Sequence, residues 1–107
     1  MTIKHIVLWR VDAATEDARQ AACQKVRVAF ESLAGKIPGL LELEVGIDSS
    51  RISYASDVVL NSTFADKESL IAYATHPEHL RVRTELAGVR IESRQVDYAC
   101  GPVQRVG

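Results

Sequence analysis

The sequence predicts a single α+β domain over residues 1–107, a four-stranded antiparallel sheet with its helices on one face. Three observations lead there. Four segments carry the alternation or β-branched content of strands, and two intervening segments carry capped helical spacing. Their order is strand, helix, strand, strand, helix, strand, with no linker or internal repeat to divide it. With the second helix broken in two, this is the split, ferredoxin-like arrangement β-α-β-β-α(α)-β.

The first strand is IKHIVLWRV, residues 3–11. Ile3, His5, Val7, Trp9 and Val11 share one face, and Lys4, Ile6, Leu8 and Arg10 share the other. Both faces are partly apolar, so this strand expects cover on both sides. Thr15 can cap the helix that follows, with Glu16 and Asp17 in its first turn. Ala18, Ala22, Val26, Ala29 and Leu33 recur at helical spacing with Phe30 beside them, and Gly35 and Pro38 supply the stop. LLELEVGI then alternates Leu41, Leu43, Val45 and Ile47 against Glu42, Glu44 and Gly46. After the polar DSSRISYAS connection, DVVLNSTF sets Val58, Leu60 and Phe64 on one face. Asp66 can cap KESLIAYAT, whose Leu70, Tyr73 and Ala74 lie together. Pro77 disfavours the helix at His76 but suits the first turn of a new one, PEHLRVRTEL, with Leu80 and Leu86 as anchors. VRIESRQVDYAC closes the sheet.

A sheet with helices on one face leaves the other bare, and Ile6 and Leu8 lie on it. Exposed apolar rows of this kind call for a partner, so a homodimer with its two sheets packed into a barrel-like core is expected.

Composition fits one core: 47% of residues are hydrophobic and 25% charged, and a chain of 107 residues buries roughly 65% of its unfolded surface. Thirteen basic residues against 14 acidic ones give a net charge of −1, and the basic residues are dispersed without interleaved aromatics, so no nucleic-acid partner is expected. No apolar run approaches the ~20 residues of a membrane span, and MTIKHIVLWRV has neither the flanks nor the length of a signal peptide. Cys23 and Cys100 lack any paired spacing and read as reduced thiols of a cytoplasmic protein.

YATHPEH holds two of the three histidines. A three-residue spacing would let His76 and His79 meet one metal ion, but Pro77 turns the chain between them and no further ligand stands at a matching spacing, so no metal is expected. His76 reads as an N-cap. His5 shares its face with Val7 and Trp9, and a histidine in that layer needs a hydrogen-bond partner. It is either a structural residue bonded to a carbonyl or to Tyr73, or one wall of a pocket with Tyr73 and His79. In such a pocket one imidazole can remove a proton beside a carbonyl, while a second imidazole or a phenol supports the enolate, without a cofactor. Phosphate loops, nucleophile elbows and dinucleotide fingerprints are absent from the sequence.

Together IKHIVLWRV, KIPGLLELEVG, SDVVLNSTFADKESLIAYATHPEHLRV and VDYAC resemble the stress-responsive dimeric α/β-barrel domain family. KHIVL, IPG and AYATHPEH are the most specific pieces, and the resemblance covers almost the whole chain. It implies the dimeric ferredoxin-like barrel. Plant polyketide cyclases of that family close a polyketide by aldol chemistry with a histidine pair and a tyrosine in a hydrophobic pocket. The resemblance carries these roles to His5, Tyr73 and His79. Phe30 stands where the cyclases offer a tyrosine and Val58 where they offer another histidine, implying a drier pocket here, lined by Val7, Trp9, Phe30 and Val58. The expected ligand is a small apolar carbonyl compound. Two further functions stand beside that one: a dimeric stress protein whose histidines are structural, and cofactor-free oxygenation as in the antibiotic-biosynthesis monooxygenases, for which Trp9 is available.

Overall fold

The computed structural model describes residues Met1–Gly107. In chain order the elements are β1 (Ile3–Val11), α1 (Glu16–Glu31), β2 (Leu40–Ile47), β3 (Val58–Phe64), α2 (Lys67–Tyr73), α3 (Pro77–Glu85) and β4 (Arg90–Ala99). The strands form one antiparallel sheet in the order β2-β3-β1-β4, the ferredoxin-like order. β1 and β3 are central and β2 and β4 are edges.

Each helix begins on the cap its sequence supplies. Thr15 accepts from the Ala18 N–H at 3.1 Å, Asp66 from the Ser69 N–H at 2.7 Å, and the His76 Nδ1 from the Glu78 N–H at 3.0 Å. Pro77 follows as the first residue of α3. The IPG turn has a steric reason as well. Gly39 takes a φ of +81°, its carbonyl accepts from the Ala65 N–H at 2.8 Å, and a Cβ there would collide with Ser69. The turn and the start of α2 are thereby locked together.

The core lies between the helices and the odd-numbered face of β1. Phe30 and Leu33 from the first helical segment meet Leu60 and Phe64 of β3, with Val82 and Leu86 closing from α3. Three sequence expectations shift in register. The buried stripe of α1 runs through Arg19, Cys23, Val26, Ala29 and Phe30, leaving Ala18 exposed. Arg19 is buried because its guanidinium is satisfied by Glu16 at 2.9 Å and Asp57 at 3.4 Å. Asp57 in turn accepts from the Val11 N–H at 2.9 Å, so a buried ion pair ties α1 to the end of β1. Leu41 leaves the apolar face because β2 bulges there: Leu40 pairs with Phe64 and Glu42 with Thr63, which puts the extra residue outside. Leu80 is 44% exposed, and Val82, at 0%, is the anchor in its place.

On the face away from the helices, Ile6, Leu8 and Val59 are half-buried and Val96 and Tyr98 exposed. The enclosed Oδ1 of Asn61, between them, has no hydrogen-bond partner within the chain. Both cysteines are free thiols, Cys23 buried and Cys100 half-buried. No helix is long and apolar enough to cross a membrane.

These positions separate by energy. Phe30→Ala should cost about 3–5 kcal/mol in urea unfolding through the cavity it leaves, whereas Leu80→Ala should cost under about 1 kcal/mol. Equal losses would contradict the packing described.

Candidate functional site

α1 packs on β1, β2 and β3, and α2 on β1 and β3. Helical cover thins toward β4. Between that strand, β1 and the α2–α3 pair lies a cleft of about 810 Å³. Its floor is the odd face of β1.

His5 stands at the centre of that floor and is only 7% exposed. The strand register sets its neighbours: Ser62 lies opposite on β3 and Asp97 opposite on β4. Ser62 donates its hydroxyl to the His5 carbonyl at 3.0 Å, and Asp97 Oδ1 lies 2.5 Å from His5 Nδ1. Gln95 holds the second Asp97 oxygen at 3.0 Å. An ionised carboxylate accepts from an Nδ1–H, so the neutral imidazole keeps its lone pair on Nε2.

Tyr73 ends α2 and lies between the two histidines. Its ring centroid is 6.1 Å from that of His5 and 4.2 Å from that of His79. Phe64 supports it from below at 5.2 Å. Burial pushes the Tyr73 phenol up to about 12, so it remains a hydrogen-bond donor at any physiological pH. His79, in the first turn of α3, donates from Nδ1 to the Ala74 carbonyl at 3.1 Å across the Pro77 break. A carbonyl can only accept, so this imidazole also keeps its free lone pair on Nε2. Burial, the largest influence, pulls its pKa down, with the positive charges of Arg83 and Arg90 acting in the same direction.

Val7, Trp9 and Phe30 line the same cleft as His5, Tyr73 and His79. Val58 does not. It is 2% exposed, paired between Trp9 and Ile47, and belongs to the core beneath. His76 is occupied as the cap of α3. No three His, Cys, Asp or Glu side chains gather closely enough to hold a metal ion.

Three residues escaped the sequence reading. Asp97 was readable in principle, since an antiparallel β1–β4 pairing brings VDYA alongside IKHI, but the register itself is fixed only by tertiary packing. Arg83 and Arg90 look like solvated charges in sequence, yet both line the cleft. The Arg90 guanidinium lies over the Trp9 ring, 4.7 Å from its centroid, and 5.4 Å from that of Phe30. Trp9 and Phe30 are themselves stacked at 5.0 Å.

A ferredoxin-like sheet with a histidine-lined side cleft defines the class as a small α/β-barrel protein. The chain belongs to the stress responsive A/B barrel domain family, whose family model matches residues 3–100. Among solved structures it is similar to a dimeric ferredoxin-like protein of unknown function from Bacteroides fragilis, at 30% identity and a TM-score of 0.79, covering 91% of this chain and 94% of that one. It is also similar to the hydroxynitrile lyase of Passiflora edulis, at 16% identity and a TM-score of 0.77, covering 97% of each. SnoaB, a cofactor-independent oxygenase from Streptomyces nogalater, matches at 13% identity and 0.74, covering 95% of each. These last two likenesses are of fold alone. No curated protein sequence matches the chain.

The environment of His79 has a measurable signature. Its ring resonances should titrate with a midpoint below 6.5. As pH falls below that value the unfolded chain takes up the proton first, so stability should decline from about pH 6.5 down through the folded midpoint and level off below it. His79→Gln should remove that component. A midpoint at or above 6.5 would contradict the burial described.

Proposed function

We propose that the protein is a homodimer whose cleft binds a small, largely apolar carbonyl compound and catalyses proton transfer beside the carbonyl without a cofactor. The observation that carries this reading is the His5–Asp97 pair at 2.5 Å on the floor of the cleft, beneath Tyr73 and His79. Asp97 holds the His5 tautomer, and Nε2 is the base. The C–H proton passes to Nε2, and the electron pair moves into the carbonyl to give an enolate oxygen. The Tyr73 phenol, protonated because its pKa is about 12, donates to that oxygen. His79, kept neutral by burial, packs on Tyr73 and supplies a second basic nitrogen. Returning the proton to carbon completes isomerisation or exchange; attack of the enolate carbon on a second carbonyl forms the C–C bond, and return of the proton from Nε2 to the resulting alkoxide completes an aldol closure. The fold is shared by a lyase and an oxygenase, which supports a catalytic use of this scaffold.

Dimerisation follows from the bare sheet face. Ile6, Leu8 and Val59 form an apolar row beside the unpaired Asn61 oxygen, and the Bacteroides fragilis relative is dimeric. Two such sheets packed together bury the row on both sides.

The chemistry is read directly from hydrogen exchange at the α-carbon of phenylbutanone in deuterated water, followed by NMR. The wild-type protein should accelerate exchange, and Asp97→Asn, which keeps the shape but loses the tautomer control, should slow it by about 10²-fold or more. An absence of acceleration together with unmoved His5 and His79 resonances would leave the family's non-catalytic reading instead. For the assembly, Leu8→Lys should convert the dimer to monomer or unfold it in sedimentation. A wild-type chain that sediments as a folded monomer at micromolar concentration would overturn the dimer.

A further inference from the structure

We propose that the ligand of the cleft carries an anionic end group, a carboxylate or a similar planar oxyanion, received by Arg90 and Arg83. The inference rests on the reading of the cleft as a ligand site and names the class of molecule it takes.

Charge accounting around the cleft points to it. Arg10, Arg19, Arg27, Arg51 and Arg81 each reach a carboxylate of the chain. Arg83, Arg90, Arg94 and Arg105 take part in no ion pair, and of these four Arg83 and Arg90 line the cleft. The two acidic residues on its walls are already committed. Asp97 is held by His5 at 2.5 Å, and Glu92 lies 3.6 Å from Arg10, its partner in the strand register. Three basic side chains, Lys67, Arg83 and Arg90, line a cleft with an apolar floor of Val7, Trp9 and Phe30, and none of them reaches a carboxylate of the chain.

The placement of Arg90 adds a geometric argument. A bulge in the β1–β4 pairing, between Arg10 and Val11, sets Arg90 opposite Val11 and brings its guanidinium over Trp9 at 4.7 Å. A guanidinium lying on an aromatic face gains from the ring quadrupole while its in-plane N–H groups remain available. Those groups match the two oxygens of a carboxylate. Burial and the nearby positive charge of Arg83 both disfavour the charged form of Arg90, and a bound anion would reverse that. Trp9 and Phe30 hold the Arg90 guanidinium in place, the arginines fix the charged end of the ligand, and the carbonyl is left to Tyr73 and His5.

The test compares phenylbutyrate with its neutral isostere phenylbutyramide, each titrated into the intact protein at neutral pH and low salt, with the Tyr73 and His79 ring resonances and the Arg90 Nε–H as reporters. The carboxylate should bind about tenfold more tightly than the amide, and added salt should erode the difference. Arg83→Gln, a change away from the Trp9 and Phe30 stack, should shrink the preference, and Arg90→Gln should shrink it further while Arg90→Lys retains part of it. Amide affinity should fall less than carboxylate affinity in each of these variants. Equal affinity of the two probes for the wild-type protein, or a preference that survives the loss of both arginines, would overturn the anionic assignment and leave the cleft as a ligand site. Failure of both probes to reach the cleft would overturn the ligand-site reading and this inference together.

Discussion

Everything at the cleft depends on the fixed register of β1, one of the two strands hydrogen-bonded on both sides. Because successive side chains of a strand point to opposite faces, one registration assigns Ile3, His5, Val7, Trp9 and Val11 to the helices and Ile6 and Leu8 to the bare face. A slip by one residue would exchange the two sets, burying Lys4 and Arg10 under the helices. The same register aligns His5 with Ser62 on one side and Asp97 on the other. Core, cleft and bare sheet face are thus three results of one pairing. The buried Asp57 contributes to holding it, since its carboxylate takes the Val11 N–H and pairs with Arg19 of α1.

The fold was legible because its determinants are local. Alternation in β1 and β2, the Thr15 and Asp66 caps, and the proline between α2 and α3 each act within a few residues. Where local pattern and tertiary packing compete, packing wins. The bulge at Leu41 depends on how β2 meets β3, and the burial of Arg19 depends on Asp57, 38 residues away. Leu80 and Val82 are both acceptable helix anchors in sequence; the azimuth at which α3 docks decides between them.

The candidate site was legible to a lesser extent, and unevenly. Resemblance and strand parity brought His5, Tyr73 and His79 together, and the cleft contains all three. Val58 shares the parity of the lining residues but sits on β3 where α1 covers the sheet, so parity alone could not tell core from cavity. Asp97 and Arg90 lie on β4, where the apolar Ile91, Val96 and Tyr98 are too sparse among polar residues to set a period. A polar edge strand looks the same whether its charges face water or a cleft.

The sheet order has a dynamic consequence. His5 belongs to an interior strand with neighbours on both sides, while its partner Asp97 belongs to an edge strand bonded on one side only. Opening free energies differ along such a structure, and edges open before centres. Amide exchange should therefore be slow around His5 and faster around Asp97, so the two halves of one hydrogen bond have unequal lifetimes. Each fraying of β4 frees the imidazole to change tautomer and closes again with the proton on Nδ1. The orientation of the imidazole is consequently a property renewed by the edge strand, and molecules that brace that edge would steady the ring without touching it.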